Sequence, residues 1–236
     1  YKGYVSLNKL YSWSDVKPST SISFNDFRRY AKARGTGFQV IDFQQHCVIA
    51  MMLYAKYKTR NLQGVLGPGG AGSSPATTTG SSNATGGADT KNESSKYVCG
   101  LGLEGVFGGI CEWVEGVEIN NRVWKITDPD GSTRNVNAET FSGWIINIAA
   151  ENGPFFDVVP TQVGGSDSTH YSDYYSRTSD SSLVLARSGY RSYPTVGVAY
   201  TDAAYNASDM DSSYGSRLAF HGTISELAPR QFKRLP

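Results

Sequence analysis

Residues 98–119, VCGLGLEGVFGGICEWVEGVEI, constrain this chain more than any other stretch. Apolar residues alternate with glycines and acids. Alternation with period two is the mark of strands, and glycines inside it mark bulges or tight turns. The run is therefore read as paired strands at the heart of the core. Residues 123–126 continue the pattern, and Asp128-Pro129-Asp130-Gly131 closes it as a turn. A calcium loop would need more oxygen ligands at alternating positions, so a hairpin turn is the simpler reading of these two aspartates. Residues 38–41, 141–148 and 155–159 are read as further short strands, and residues 1–15 as a short strand followed by loop.

Two helices precede this run. Ser23 is placed to cap the first, with Asp26 three residues on. Phe24, Phe27, Tyr30 and Ala31 share one helical face, and Gly35 is a good residue to follow the end. The first helix is expected over about residues 24–34. Asp42 can cap a second helix over about residues 43–58. Its apolar residues Cys47, Ala50, Met51, Tyr54 and Ala55 fall at helical spacing, and Val48, Ile49, Met52 and Leu53 widen the stripe. A helix apolar nearly all round is a buried one. His46 has no second ligand one turn away, so it reads as a core-edge histidine and not a metal ligand.

Between these blocks, residues 66–95 form a Gly/Ser/Thr-rich break with few apolar side chains to drive ordering. An interdomain linker is one reading. A compact fold needs both flanks, so a surface loop within a single domain over residues 1–236 is preferred. The break has no Gly-Lys-Ser/Thr ending and hence no phosphate-loop character. Cys47, Cys99 and Cys111 are an odd set. Cys99 and Cys111 could bridge, but buried free thiols are the simpler expectation. The formal net charge is +1 with no Lys/Arg block, which argues against nucleic-acid partners. No run is long and apolar enough to span a bilayer, so membrane insertion is not expected.

Residues 164–220 differ in kind. More than half of the chain's 15 tyrosines fall here, among Ser, Asp and Thr on a frame of Gly, Ala, Leu and Val. Tyr offers a large, stiff, amphipathic contact, and small polar residues offer adaptable hydrogen bonds, which suits a recognition surface. Leu183-Val184-Leu185-Ala186-Arg187 and Gly215-Ser216-Arg217-Leu218-Ala219-Phe220 bracket the tyrosine-rich part as core strands. What lies between can vary without unfolding the domain. Arg187 and Arg217 are expected to anchor loops. Trp113, Trp124 and Trp144 are expected to be packing residues with a hydrogen-bonded indole.

Two helices, a Gly/Ser loop, the Glu112-Trp113-Val114 strand and the closing Gly-x-Arg-Leu-Ala-Phe strand together resemble the C-type lectin fold. The nearest branch is the one shared by formylglycine-generating enzymes and the variable proteins of diversity-generating retroelements. There, segments like Arg187-Ser188-Gly189-Tyr190 and Gly215-Ser216-Arg217-Leu218 open and close the variable region. The resemblance implies an α+β, C-type lectin-like fold, with two helices packed on short antiparallel strands and long loops. It implies a variable region at about residues 183–220. It also implies a receptor-binding protein of a phage or prophage tail, or of a bacterial surface. The partner would be a protein or glycan on a bacterial cell, met by a homo-oligomer that gains avidity. The implied contact residues are Tyr190, Ser192, Tyr193, Thr195, Tyr200, Thr201, Asp202, Tyr205, Asp209, Asp211, Ser213 and Tyr214. No cofactor is implied.

Two other classes were weighed. An oxidase of the formylglycine-generating type needs a pair of copper-holding cysteines late in the chain, and no cysteine follows Cys111. A calcium-dependent sugar-binding lectin would carry a Trp-Asn-Asp segment, whereas Trp113 is followed by Val114. Ser-His-Asp trios can be drawn around His170 and His221, but there is no nucleophile elbow. The chain is therefore expected to bind without chemistry.

Overall fold

The computed structural model describes residues 1–67, 77–89, 97–151, 153–178, 182–189 and 196–223. The chain opens with a hairpin of β1 (Tyr4–Ser6) and β2 (Lys9–Tyr11), then α1 (Phe24–Lys32), β3 (Phe38–Val40), α2 (Phe43–Tyr57) and α3 (Leu62–Leu66). The strands β4 (Cys99–Gly100), β5 (Leu103–Glu104), β6 (Cys111–Asn120), β7 (Val123–Thr127), β8 (Thr133–Asn137) and β9 (Gly143–Ile148) follow. The last six are β10 (Pro160–Val163), β11 (Tyr174–Arg177), β12 (Leu183–Arg187), β13 (Thr201–Tyr205), β14 (Tyr214–Gly215) and β15 (Leu218–Phe220).

One nine-stranded sheet organises these elements, in the order β10-β9-β11-β13-β12-β6-β7-β8, with β14 pairing β6. It curls into a half-barrel, and only about 18 % of the structure is helical. This overturns the expected α+β architecture of two helices packed on short antiparallel strands. The physical reason lies in strands whose sequences carry no apolar period. Pro160–Val163, Tyr174–Arg177 and Thr201–Tyr205 read as loop, yet each pairs into the sheet, two of them near its middle. β11 and β13 run parallel, as do β14 and β6. Residues 155–159, expected as a strand, are not one; Val158 and Val159 pack into the core while Phe155 and Phe156 are exposed.

The helices obey their caps. The Ser23 side chain accepts from Asp26 N, and α1 ends at Lys32. Asp42 and Gln45 form a capping box at the start of α2, which satisfies two of the helix's otherwise orphaned N–H groups. At the other end Lys58 closes α2 in the left-handed conformation. The Asp128–Gly131 turn forms as expected between β7 and β8, with Gly131 N donating to Asp128 O at 2.8 Å.

β12 and residues 111–114 of β6 are buried on both faces and so separate two cores. Phe43, Cys47, Ala50 and Leu53 of α2 pack with Leu183 and Leu185 of β12 on one side. Phe24, Phe27 and Ala31 of α1 pack with Val184, Ala186 and Trp113 on the other. β12 keeps strict alternation. β6 does not, because Trp113 faces the α1 side whereas Val117 and Ile119 face the α2 side. The break falls at Gly116, whose φ of +84° disfavours a side chain and whose added Cβ would meet Thr127 O at 2.8 Å. There the register between β12 and β6 shifts, and Glu115 N turns aside to donate to Ile41 O at 3.0 Å. A bulge of this kind re-aims the strand. All three cysteines are free and buried. Among the described residues no helix is long and apolar enough to cross a membrane.

Candidate recognition site

The stretch that follows β12 leaves the sheet and returns to it through β13 and β14, and its last strand, β15, pairs with β3 in a separate two-stranded sheet. Its opening is fixed by Arg187, the last residue of β12, whose side chain is buried. Arg187 Nη1 donates to Ala199 O (2.9 Å), Tyr200 O (3.2 Å) and Thr201 Oγ1 (2.6 Å). Burial lowers its pKa to about 10. From the other side Asp173 accepts from Ala199 N at 2.8 Å and from Gln63 Nε2 at 2.8 Å. The turn before β13 is therefore held between a buried cation and a buried carboxyl. Gly197 is required there, because a Cβ would lie 2.2 Å from Asp173 Oδ1.

The closing end is fixed by Glu112 on β6. Arg217 donates to Glu112 Oε1 through Nε at 3.0 Å, and its Nη2 donates to Glu104 O and Gly105 O, each at 2.9 Å. Lys2 Nζ reaches the same Glu112 oxygen at 3.0 Å and also donates to Ile110 O at 3.0 Å. Ser188 Oγ donates to the second oxygen, Glu112 Oε2, at 3.4 Å. Burial alone would raise the Glu112 pKa, but the charges of Arg217 and Lys2 outweigh it and hold the carboxyl well below its ordinary value. One buried carboxylate thus contacts both the start and the end of the stretch, at Ser188 and Arg217. The anchoring expected of Arg187 and Arg217 is what the geometry provides.

Between these ends, the expected contact residues fall into separate groups. Tyr190, Ser192, Tyr193 and Thr195 lie outside the described residues. Tyr200, Thr201, Asp202 and Tyr214 are buried, at 6, 0, 5 and 2 % exposure. Tyr214 Oη donates to Asp202 Oδ2 at 2.7 Å, and Tyr200 Oη donates to the same oxygen at 3.2 Å. Tyr205 is half-buried, edge-on to Trp113 at 6.2 Å and to Tyr214 at 4.8 Å. Tyr214 lies 4.7 Å from Trp113. These aromatics support the tip from beneath. The Trp113 and Trp124 indoles donate to Ile22 O and Pro160 O, as expected of packing residues.

The tip itself is the connection from β13 to β14. Asn206, Ser208, Met210 and Ser212 are exposed, with Met210 at 63 %. Asp209 and Asp211 each turn one carboxylate oxygen to the loop's own backbone: Asp209 Oδ2 accepts from Asn206 N at 2.8 Å, and Asp211 Oδ1 accepts from Ser213 N at 2.7 Å. The backbone of the tip is tied to the start of α1, since Asn25 N donates to Ala207 O and Ser21 N to Asp211 O. The tip is a short, internally braced loop on a packed base.

Glu112, Asp173 and Gln63 were not singled out by sequence reasoning. A lone acid inside the near-continuous apolar run at residues 111–114 was the available signal for Glu112, since a buried acid demands a cation. Nothing marked Asp173 or Gln63. Among the described residues no three His, Cys, Asp or Glu side chains are grouped to hold a metal ion. Burial pushes the Cys47 thiol up to about 12 and the Cys111 thiol well above its ordinary range, which disfavours the thiolate a nucleophile or copper ligand requires.

Asp173 is expected to make the turn before β13 sensitive to pH. Burial raises its pKa from 3.8 to about 7. The folded chain holds this proton more tightly than the unfolded chain, so the group's effect on stability turns unfavourable as pH climbs from about 4 to about 7. Urea denaturation at about pH 5 and about pH 8 should show a loss of stability on going to the higher pH that shrinks in Asp173→Asn. An identical pH response in the two proteins would remove Asp173 from this role.

No protein-family model matches the chain, and no curated protein shows significant similarity to it.

Proposed function

We propose that this chain is a receptor-binding protein that presents a diversified Tyr/Ser/Asp surface after β12 and acts by contact without chemistry. The observation that carries the reading is the closure of that stretch on Glu112, with Arg187 and Asp173 bracing the turn inside it. Such a frame lets exposed residues change while the core stays the same, as a recognition scaffold requires. The described part of that surface is the exposed tip at Asn206, Ser208, Met210 and Ser212, and Tyr190, Ser192, Tyr193 and Thr195 are proposed as contact residues from the sequence alone. Tyr200, Thr201, Asp202 and Tyr214 support it from inside.

The partner is a protein or glycan on a bacterial cell, and the setting is a phage or prophage tail or a bacterial surface. Several copies would multiply a weak single contact. The raised thiol pKa values favour this reading over a thiolate-dependent oxidase.

Sequencing the locus tests the reading. A near-copy of the coding segment for residues 182–220 is expected beside a reverse-transcriptase gene, differing at template adenines. The differences should fall on codons for exposed positions such as Asn206 and Ser208 and spare Arg187 and Arg217. A locus without the copy, or with differences spread over buried codons, would sink the diversification reading. In binding to host cells, Met210→Glu should abolish attachment while leaving the melting temperature unchanged.

A further inference from the structure

The β1–β2 pair sets Tyr4 opposite Tyr11. Trp13, just past the hairpin, stacks on both, with ring centroids 5.6 Å from Tyr4 and 4.2 Å from Tyr11. Arg34, two residues beyond α1, lays its guanidinium 4.3 Å from the Tyr11 centroid and 5.6 Å from that of Phe38. Phe38 pairs across β3–β15 with Phe220, at 5.1 Å between rings. Trp13, Tyr11, Arg34, Phe38 and Phe220 therefore form one continuous strip of rings around a central cation.

The strip is open to solvent at both ends. Trp13 is 45 % exposed and Phe220 39 %, whereas Trp113 and Trp124 are at 0 %. Beside it lies a shallow depression of about 540 Å³, bordered by Lys32, Phe38, His221 and the backbone around Gly35 and Gly37, with no carboxylate in its lining. Lys32 and Arg34 are exposed and have no acidic partner among the described residues. His221 is paired with Asp42. The local charge is thus positive, on a chain whose net charge is only +1.

From this strip we infer a second binding site, for a carboxylated polysaccharide. The C–H faces of pyranose rings are apolar and stack on exposed aromatic faces, and the sugar carboxylates meet Arg34 and Lys32 through charge-assisted hydrogen bonds. Single-stranded nucleic acid also stacks on aromatics, but it needs a basic groove that tracks successive phosphates. Two free cations do not make one. The site is independent of the tip at residues 206–211. That tip touches the start of α1, and Lys32 and Arg34 lie at its far end, about 13 Å away along a helix of nine residues.

Affinity electrophoresis in native gels tests the inference, with polygalacturonate or alginate in the gel, dextran as the neutral control and an oligo-dT strand as competitor. At least one polyuronate should retard the protein and dextran should not. Trp13→Ala and Lys32→Glu should each weaken retardation by about tenfold, a change of about 1.4 kcal/mol, with unchanged thermal melting for Lys32→Glu. Met210→Glu should be retarded like the wild type, which separates this site from the recognition tip. Retardation by neither polyuronate, retardation unaffected by Lys32→Glu, or tighter binding of oligo-dT would each overturn it.

Discussion

Glu112→Ala is expected to lower the free energy of unfolding by about 3–5 kcal/mol, the range for breaking a buried ion pair by removing one partner. The side chain is 1 % exposed, and its loss leaves Lys2 and Arg217 as buried cations without their carboxylate. Burial already depresses the Lys2 pKa to about 8 even with Glu112 present. Without it, neutralising Lys2 becomes the cheaper course. Glu112→Gln keeps the shape and removes the charge, so it should fall between the wild type and Ala. Because Ser188 and Arg217 both contact this carboxylate, limited proteolysis should cut the stretch between them faster in either variant. A loss below about 1 kcal/mol in urea denaturation, the level of an exposed ion pair, would show that the carboxylate is not the tie described.

The second large effect is expected at Trp113. Truncation to Ala should cost about 3–5 kcal/mol, as for other large aromatic side chains removed from a core. The indole is wholly buried and touches Phe24 of α1 as well as Tyr205 and Tyr214 at the base of the tip. Its removal therefore takes the support from three elements at once. Trp113→Phe retains most of the apolar contact but loses the donor to Ile22 O, and should cost about half as much or less. Near-UV circular dichroism should report the loss of the aromatic nest, and Ala without that loss would argue against the coupling.

The parts of the fold that could be read from the sequence are those where apolar residues follow a helical spacing or crowd a short run. α1 and α2 were legible in position and caps, because Ser23 and Asp42 stand ahead of apolar residues at helical spacing. β6 and β12 were legible because apolar residues dominate both. The middle of the sheet was not. Thr201–Tyr205 presents a threonine, an acid, two alanines and a tyrosine, and nothing local says that Asp202 will be buried and bonded to Tyr214. Its place depends on pairing with β11 and β12, where Thr201 stands opposite Tyr175, 26 residues earlier, and Arg187, 14 residues earlier. The same blindness affected the site. Composition suggests contact for residues 190–214, but it could not show that Tyr200 and Tyr214 would be buried.

Closure on Glu112 and the bracing of α1 against the tip also bear on how much chain the scaffold could carry. The entropic cost of closing a flexible loop grows only with the logarithm of its length, so doubling a loop costs about 0.6 kcal/mol. With the ends of the 206–212 connection set by β13 and β14, a longer peptide grafted there would draw little on the stability of the sheet. The ties that fix both ends of the stretch leave the length of the 206–212 connection only weakly constrained.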